Sequence, residues 1–132
     1  MLGDKDMLAK VEERIPSIVA AATEGFTPEG GMIYEKCGEE IDGDRHWWVQ
    51  AEAAVGYFNL WEHFGAGEGL ENALHCWEFI KAGLIDRENG EWFWSVRADG
   101  TVNRDDDKAG FWKCPYHNSR MCLEIIERTA TI

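Results

Sequence analysis

The sequence predicts a mostly helical chain whose helices are joined by two hairpin-bearing loops. Three observations lead there. Apolar residues recur at intervals of three and four through several long stretches. Gly65-Ala66-Gly67 separates two of these stretches, as expected of an αα-hairpin. Asp99-Gly100, a strong hairpin-turn signal, follows an alternating stretch at 91–96.

The elements follow in order. Leu8, Val11, Ile15, Ile18, Val19 and Ala22 mark a first helix over 6–23, with Pro16 expected to kink it or to start a new helix. Gly25 closes it, Thr27-Pro28-Glu29-Gly30-Gly31 reads as a turn, and Met32-Ile33-Tyr34-Glu35 as a short strand. Residues 38–45 read as an acidic loop with an Asp42-Gly43 turn. Residues 47–64 form the second helix. Trp48, Glu52, Val55 and Asn59 line one stripe of it, and Ala51, Ala54, Phe58 and Trp61 another, so two sides are expected to be covered. Leu70, Ala73, Leu74, Trp77, Ile80 and Leu84 mark a third helix. After a turn at 86–90, the strand at 91–96 is expected to pair through Asp99-Gly100 with Thr101-Val102-Asn103. Asp105-Asp106-Asp107 reads as a solvated loop. The last helix is expected over 118–128, with Cys122, Leu123 and Ile126 as its core stripe and His117, Arg120, Met121 and Glu124 on the next face.

Composition bounds the function. At 132 residues the chain is one ordinary domain or a piece of a larger one, and its 45% apolar share is enough for a core and argues against disorder. A formal charge of −12 opposes encounter with nucleic acid or an acidic membrane. No run of eighteen apolar residues suggests a transmembrane helix. Met1-Leu2-Gly3-Asp4-Lys5-Asp6 lacks the pattern of a signal peptide, so a cytoplasmic protein is expected. Cys37, Cys76, Cys114 and Cys122 contain no C-x-x-C pair and are read as reduced thiols. A zinc site from Cys114, His117 and Cys122 would lack a fourth ligand and a familiar spacing, so no metal is expected.

Seven tryptophans demand a sorting rule. Core tryptophans should fall within apolar stripes, whereas those of a sugar site should sit at element ends beside polar groups, where an indole face covers a pyranose ring. Trp61 and Trp77 fall in the first class. Trp47, Trp48 and Trp112 fall in the second, and Trp92 and Trp94 fit either. Among the histidines, His63 and His75 read as structural or exposed. His75-Cys76-Trp77-Glu78 reads H-x-x-E but shares its helix with a core tryptophan. His117 follows Pro115 at a helix entrance with Arg120 one turn on, where free N–H groups suit an oxyanion.

Two segments carry a family resemblance. Trp47-Trp48-Val49-Gln50-Ala51-Glu52-Ala53 and Phe111-Trp112-Lys113-Cys114-Pro115-Tyr116-His117-Asn118-Ser119-Arg120-Met121-Cys122-Leu123-Glu124 resemble the cellobiose 2-epimerases of the N-acylglucosamine 2-epimerase superfamily. Gly30-Gly31-Met32-Ile33-Tyr34-Glu35 and Glu91-Trp92-Phe93-Trp94-Ser95-Val96 fit as well, so the resemblance covers nearly the whole chain. Pro-Tyr-His-Asn-Ser-Arg looks more like the cellobiose branch than the N-acylglucosamine branch.

The resemblance implies an (α/α)6 barrel, of which residues 1–132 are expected to be the C-terminal part. It implies a small carbohydrate substrate, a disaccharide, and chemistry without a metal or redox cofactor. The implied reaction inverts C2 of the reducing-end glucose of a cellobiose-like β-1,4-disaccharide through an enediolate. By motif, His117 resembles one of two acid/base histidines and Arg120 the arginine that holds the sugar oxygens. Trp48 and Trp112 resemble sugar-stacking residues, and Glu52 one that accepts a hydroxyl hydrogen bond. The family's second histidine lies before the tryptophan pair in an H-x-x-E motif. No residue here matches that position, and His75 follows the pair instead. The chain alone is therefore expected to be inactive, and its apolar edges to favour self-association. The alternatives are an aldose–ketose isomerase of the same superfamily and a non-catalytic sugar-binding fragment.

Overall fold

The computed structural model describes residues 4–130. Among the described residues there are four α-helices: α1 (Lys5–Thr23), α2 (Trp47–Phe64), α3 (Gly67–Phe79) and α4 (Tyr116–Thr129). Two small antiparallel sheets occupy the loops. β1 (Glu35–Cys37) pairs with β2 (Glu40–Asp42), and β3 (Arg45–His46) pairs with β4 (Ser95–Val96) in the register Arg45↔Val96, His46↔Ser95. Among the described residues, no helix is long and apolar enough to cross a membrane.

α1 is capped by Asp4, whose carboxylate accepts the Asp6 and Met7 N–H groups at 3.0 and 3.1 Å. The helix runs through Pro16 without ending. None of its residues is buried, and Met7, Leu8, Val11 and Ile18 face outward. α2 is the central element, as its two apolar stripes require. It buries Trp47, Gln50, Ala51, Ala54, Val55, Tyr57, Phe58 and Leu60. It ends at Gly65, whose left-handed φ of 66° lets its N–H reach the Trp61 carbonyl at 2.9 Å. α3 returns against α2 so closely that a methyl on Gly69 would lie 2.7 Å from the Tyr57 carbonyl oxygen. Past Phe79 the helix widens into a π-turn, Ile80–Leu84, which places Ile80 and Leu84 at full burial.

Four expectations need correction. The short strand expected at 32–35 begins only at Glu35, as β1, with Met32 in a single bridge to Phe26. Of the core stripe expected on α4, Cys122 packs against the core, but Leu123 and Ile126 are 67% and 66% exposed, and Asn118, Met121 and Ile125 take the inward side instead. Apolar residues lie on several sides of α4, and the side turned to α2 is the one that is buried. The strand expected at 91–96 shortens to Ser95–Val96. Its main partner is β3, and the Asp99-Gly100 turn contributes one bridge, Val96↔Val102. The segment read as acidic loop contains β2.

Candidate active site

Gln50, fully buried in α2, fixes the entrance to the site. Its side-chain oxygen accepts the Met32 N–H at 2.8 Å, and its amide donates to the Met32 carbonyl at 2.8 Å and the His46 carbonyl at 3.2 Å. A buried amide with these partners satisfied ties the segment after α1 to the first turn of α2. Tyr34 is held there, stacked on His46 with ring centroids 4.3 Å apart and edge-on to Trp48 at 6.1 Å.

Trp48 and Glu52 are four residues apart on α2 and so share a face. Opposite them lies the first turn of α4. The Nδ1 of His117 is 2.7 Å from Glu52 Oε1, and the Trp48 and His117 ring centroids are 5.8 Å apart. The second Glu52 oxygen pairs with the Arg120 guanidinium, which also donates to Glu124 Oε1 at 2.7 Å. The exposed Tyr116 stands edge-on to His117, with ring centroids 5.0 Å apart. Trp48 and Glu52 also line a cleft of about 540 Å³ bounded by α1 and by residues 32–36.

The electrostatics follow from these contacts. Burial pushes the Glu52 carboxyl up, but hydrogen bonds from Arg120 and His117 and their charges outweigh it, and the group stays below the ordinary carboxylate value. The hydrogen bonds that Arg120 donates to Glu52 and Glu124, and their charges, raise its guanidinium further. An ionised carboxylate only accepts, so His117 must donate from Nδ1. In the neutral ring this leaves the lone pair on Nε2, the nitrogen able to take a proton.

Of the residues singled out in the sequence, the structure brings together Trp48, Glu52, His117 and Arg120. Trp112 stands apart on the loop before α4, 81% exposed, with Phe111 edge-on at 4.8 Å. Trp47 belongs to the core: it is 3% exposed and packs on Trp94 at 4.7 Å. Helical rotation sends it inward while its neighbour Trp48 faces the site. Trp61 and Trp77 pack against the core as expected, and Trp92 is buried in it. Cys114, His117 and Cys122 do not converge. Among the described residues, the His/Cys/Asp/Glu group whose ligand atoms do, within 4.8 Å, is Asp42, Asp44 and His46. Asp44 there accepts the Ala98 N–H at 2.9 Å and Asp42 the Asp44 N–H at 3.0 Å, which braces the β2–β3 turn.

Sequence reasoning missed Glu91, Lys113 and Asn118. Lys113 is 1% exposed, and Asn118 is buried at the start of α4. The signal was a lysine inside the aromatic run Phe111-Trp112-Lys113, where a solvated charge would be out of place.

Comparison with known proteins gives the family and the fold. The family model for N-acylglucosamine 2-epimerase (GlcNAc 2-epimerase) matches residues 9–120. The chain belongs to that family. It is 59% identical to a cellobiose 2-epimerase of Bacteroides fragilis over 128 residues, which is 96% of this chain and 33% of that protein. It is 27% identical to a D-mannose isomerase of Marinomonas mediterranea over 103 residues, 76% of this chain and 26% of that one. A crystal structure of a sugar epimerase from a ruminal bacterium superposes with a TM-score of 0.89 at 41% identity, covering 96% of this chain and 33% of that one. The chain therefore spans about a third of the length of the curated relatives it matches. Its mostly helical fold is part of an (α/α)6 barrel of the sugar epimerase and isomerase family.

Proposed function

We propose that this chain supplies one side of the site of a sugar 2-epimerase, which inverts C2 of the reducing-end glucose of a cellobiose-like β-1,4-disaccharide. The observation that carries the reading is the pairing of His117 with Glu52. It orients the ring so that Nε2 can take the C2 proton of an open-chain sugar. The C–H electrons then move toward C1, and the negative charge develops on the C1 oxygen, giving an enediolate. Arg120 holds the sugar oxygens where that charge appears, and preorganised positive charge of this kind is worth most away from water. Trp48 offers an indole face beside His117. The exposed Trp112 offers another from the neighbouring loop.

Inversion needs a proton delivered to the opposite face. His46, His63 and His75 have no described bond to the Glu52 cluster, so a second acid/base group is assigned to the rest of a full-length enzyme, and the isolated chain is expected to be inactive. The identity with a D-mannose isomerase favours a second reading, an aldose–ketose isomerase, in which the proton returns to C1 instead of C2. The test is a full-length enzyme carrying this segment, incubated with cellobiose in D2O. The expected product is the C2 epimer with deuterium at C2. A ketose product moves the reading to the isomerase, and the absence of both leaves a sugar-binding role.

A further inference from the structure

We propose that Glu91 is a positioning residue for His117, acting through Lys113 and Asn118 as a clamp on the first turn of α4. The inference rests on the proton-transfer reading of His117 but makes a separate claim, about how the ring is aimed.

The clamp is built around a buried cation. The Lys113 ammonium donates to the Trp92 carbonyl at 2.8 Å, the Lys108 carbonyl at 2.7 Å and Glu91 Oε1 at 3.3 Å, so each of its three N–H bonds has a partner. Glu91 Oε1 also accepts from the Asn118 amide at 2.7 Å. Asn118 is the neighbour of His117 in α4, and its own oxygen accepts the Ser119 N–H at 3.1 Å. One carboxylate oxygen therefore joins the 91–92 backbone, the loop before α4 and the opening turn of α4. A second lysine repeats the stitch next door: Lys108 donates to Asp86 Oδ2 at 2.6 Å and to the Gly90 carbonyl at 3.0 Å.

Two further observations separate this clamp from ordinary packing. Glu91 has a left-handed φ of 63°, unlike every other described non-glycine residue, and a backbone so placed persists only where its surroundings hold it. The N-terminus of α4 also lacks a side-chain cap of its own, since Pro115 occupies the cap position. The turn that carries His117 is thus held from outside the helix. Asn118 is 7% exposed, while His117 beside it reaches across to Glu52 on α2. Loss of the Glu91–Asn118 bond frees this turn to rotate, and the His117 ring leaves Glu52 and Trp48 without any change to either partner.

The test uses the 132-residue chain with 15N-labelled histidine. The readouts are the His117 tautomer and the Trp48–His117 nuclear Overhauser contact, alongside helical content and the thermal transition. Glu91→Ala and Asn118→Ala are expected to turn the Nδ1–H form into a minority and to remove the Trp48 contact, at unchanged helical content. Glu91→Gln, which keeps an accepting oxygen, is expected to restore both signals. Folded Glu91→Ala and Asn118→Ala chains that retain the Nδ1–H tautomer and the contact would overturn the proposal. Loss of folding in both variants would overturn it too, because the clamp would then hold the fold and not the ring. A full-length enzyme indifferent to His117→Asn would sink the catalytic reading and leave the tautomer result standing.

Discussion

His117 and Glu52, sixty-five residues apart in sequence, meet at 2.7 Å across the α2–α4 interface. The pair joins α4 to α2, so its protonation should register in stability. Glu52 lies below its ordinary value in the folded chain, with burial opposing the shift and Arg120 and His117 causing it. A carboxyl lowered on folding contributes stability that is present above its unfolded value, about 4.3, and lost as pH falls through the folded value. Glu91 and Asp86 are lowered as well, so acid sensitivity has several sources. Glu52→Gln should therefore lessen, without abolishing, the fall in urea midpoint between about pH 5 and pH 3. An unchanged pH profile in the variant would show that the pair adds nothing to α4 docking.

The adjacent tryptophans and the loop tryptophan should separate cleanly by mutation. Trp47→Ala empties a buried position and should cost about 3–5 kcal/mol. Trp112→Ala removes an exposed ring and should stay within about 0.5 kcal/mol. Chemical denaturation measures both. If the half-site forms in the isolated chain, cellobiose at tens of millimolar should perturb tryptophan fluorescence weakly, and Trp112→Ala should reduce that signal.

These outcomes reflect what was legible in the sequence. The bounds of α2 were, because its apolar content is continuous and Gly65 supplies an unmistakable stop. The contrast between Trp47 and Trp48 was not. Both sit at the same helix entrance, and only the tertiary contact with Trp94 assigns one of them to the core. On α4, about half a turn of rotation separates the expected Leu123 and Ile126 from the buried Met121, and periodicity alone does not choose. Trp48, Glu52, His117 and Arg120 were named from motif, yet their mutual pairing is a long-range fact that spacing does not carry. Lys113, in the loop before α4, and Asn118, in the first turn of that helix, escaped notice because polar residues in loops and at helix starts usually face water, and burial shows only in three dimensions.

Gly69 tests the closeness of the α2–α3 hairpin. An added methyl would lie 2.7 Å from the Tyr57 carbonyl oxygen and 2.8 Å from the Trp61 nitrogen, both backbone atoms that cannot swing aside. Glycine within a helix is ordinarily improved by alanine, by roughly 0.5–1 kcal/mol. Here overpacking should reverse the sign, and Gly69→Ala should destabilise by about 1–3 kcal/mol. A stabilised variant in a thermal melt would mean that the two helices sit further apart.

The cysteines should divide by burial. Cys76 is fully buried on α3, and desolvation pushes its thiol up to about 12. Cys37 and Cys114 are exposed. Because the thiolate is the reacting form, a thiol reagent at pH 8 should label Cys37 and Cys114 rapidly and Cys76 only on unfolding. Mass spectrometry of the labelled peptides reads this directly, and early labelling of Cys76 would show that the α2–α3 core opens.

The last prediction concerns the proposed chemistry in a full-length enzyme carrying this segment. His117→Asn keeps an amide N–H near the position of Nδ1 but removes the proton-accepting Nε2. Turnover should fall by about 10²–10⁴-fold, the usual contribution of a positioned base, with substrate binding largely kept. Arg120→Ala should differ in kind. The guanidinium neutralises Glu52 and bonds Glu124 as well as facing the proposed sugar oxygens, so its loss should weaken binding and turnover together. His75→Gln, exposed on α3, should leave both near wild type. Cellobiose epimerisation, with solvent deuterium incorporation at C2, distinguishes the three. A His117→Asn enzyme that still exchanges the C2 proton at the wild-type rate would remove His117 from proton transfer. Turnover by the 132-residue chain alone would show that the second acid/base group lies within it, with His46, held beside Trp48 by Tyr34, the first residue to test.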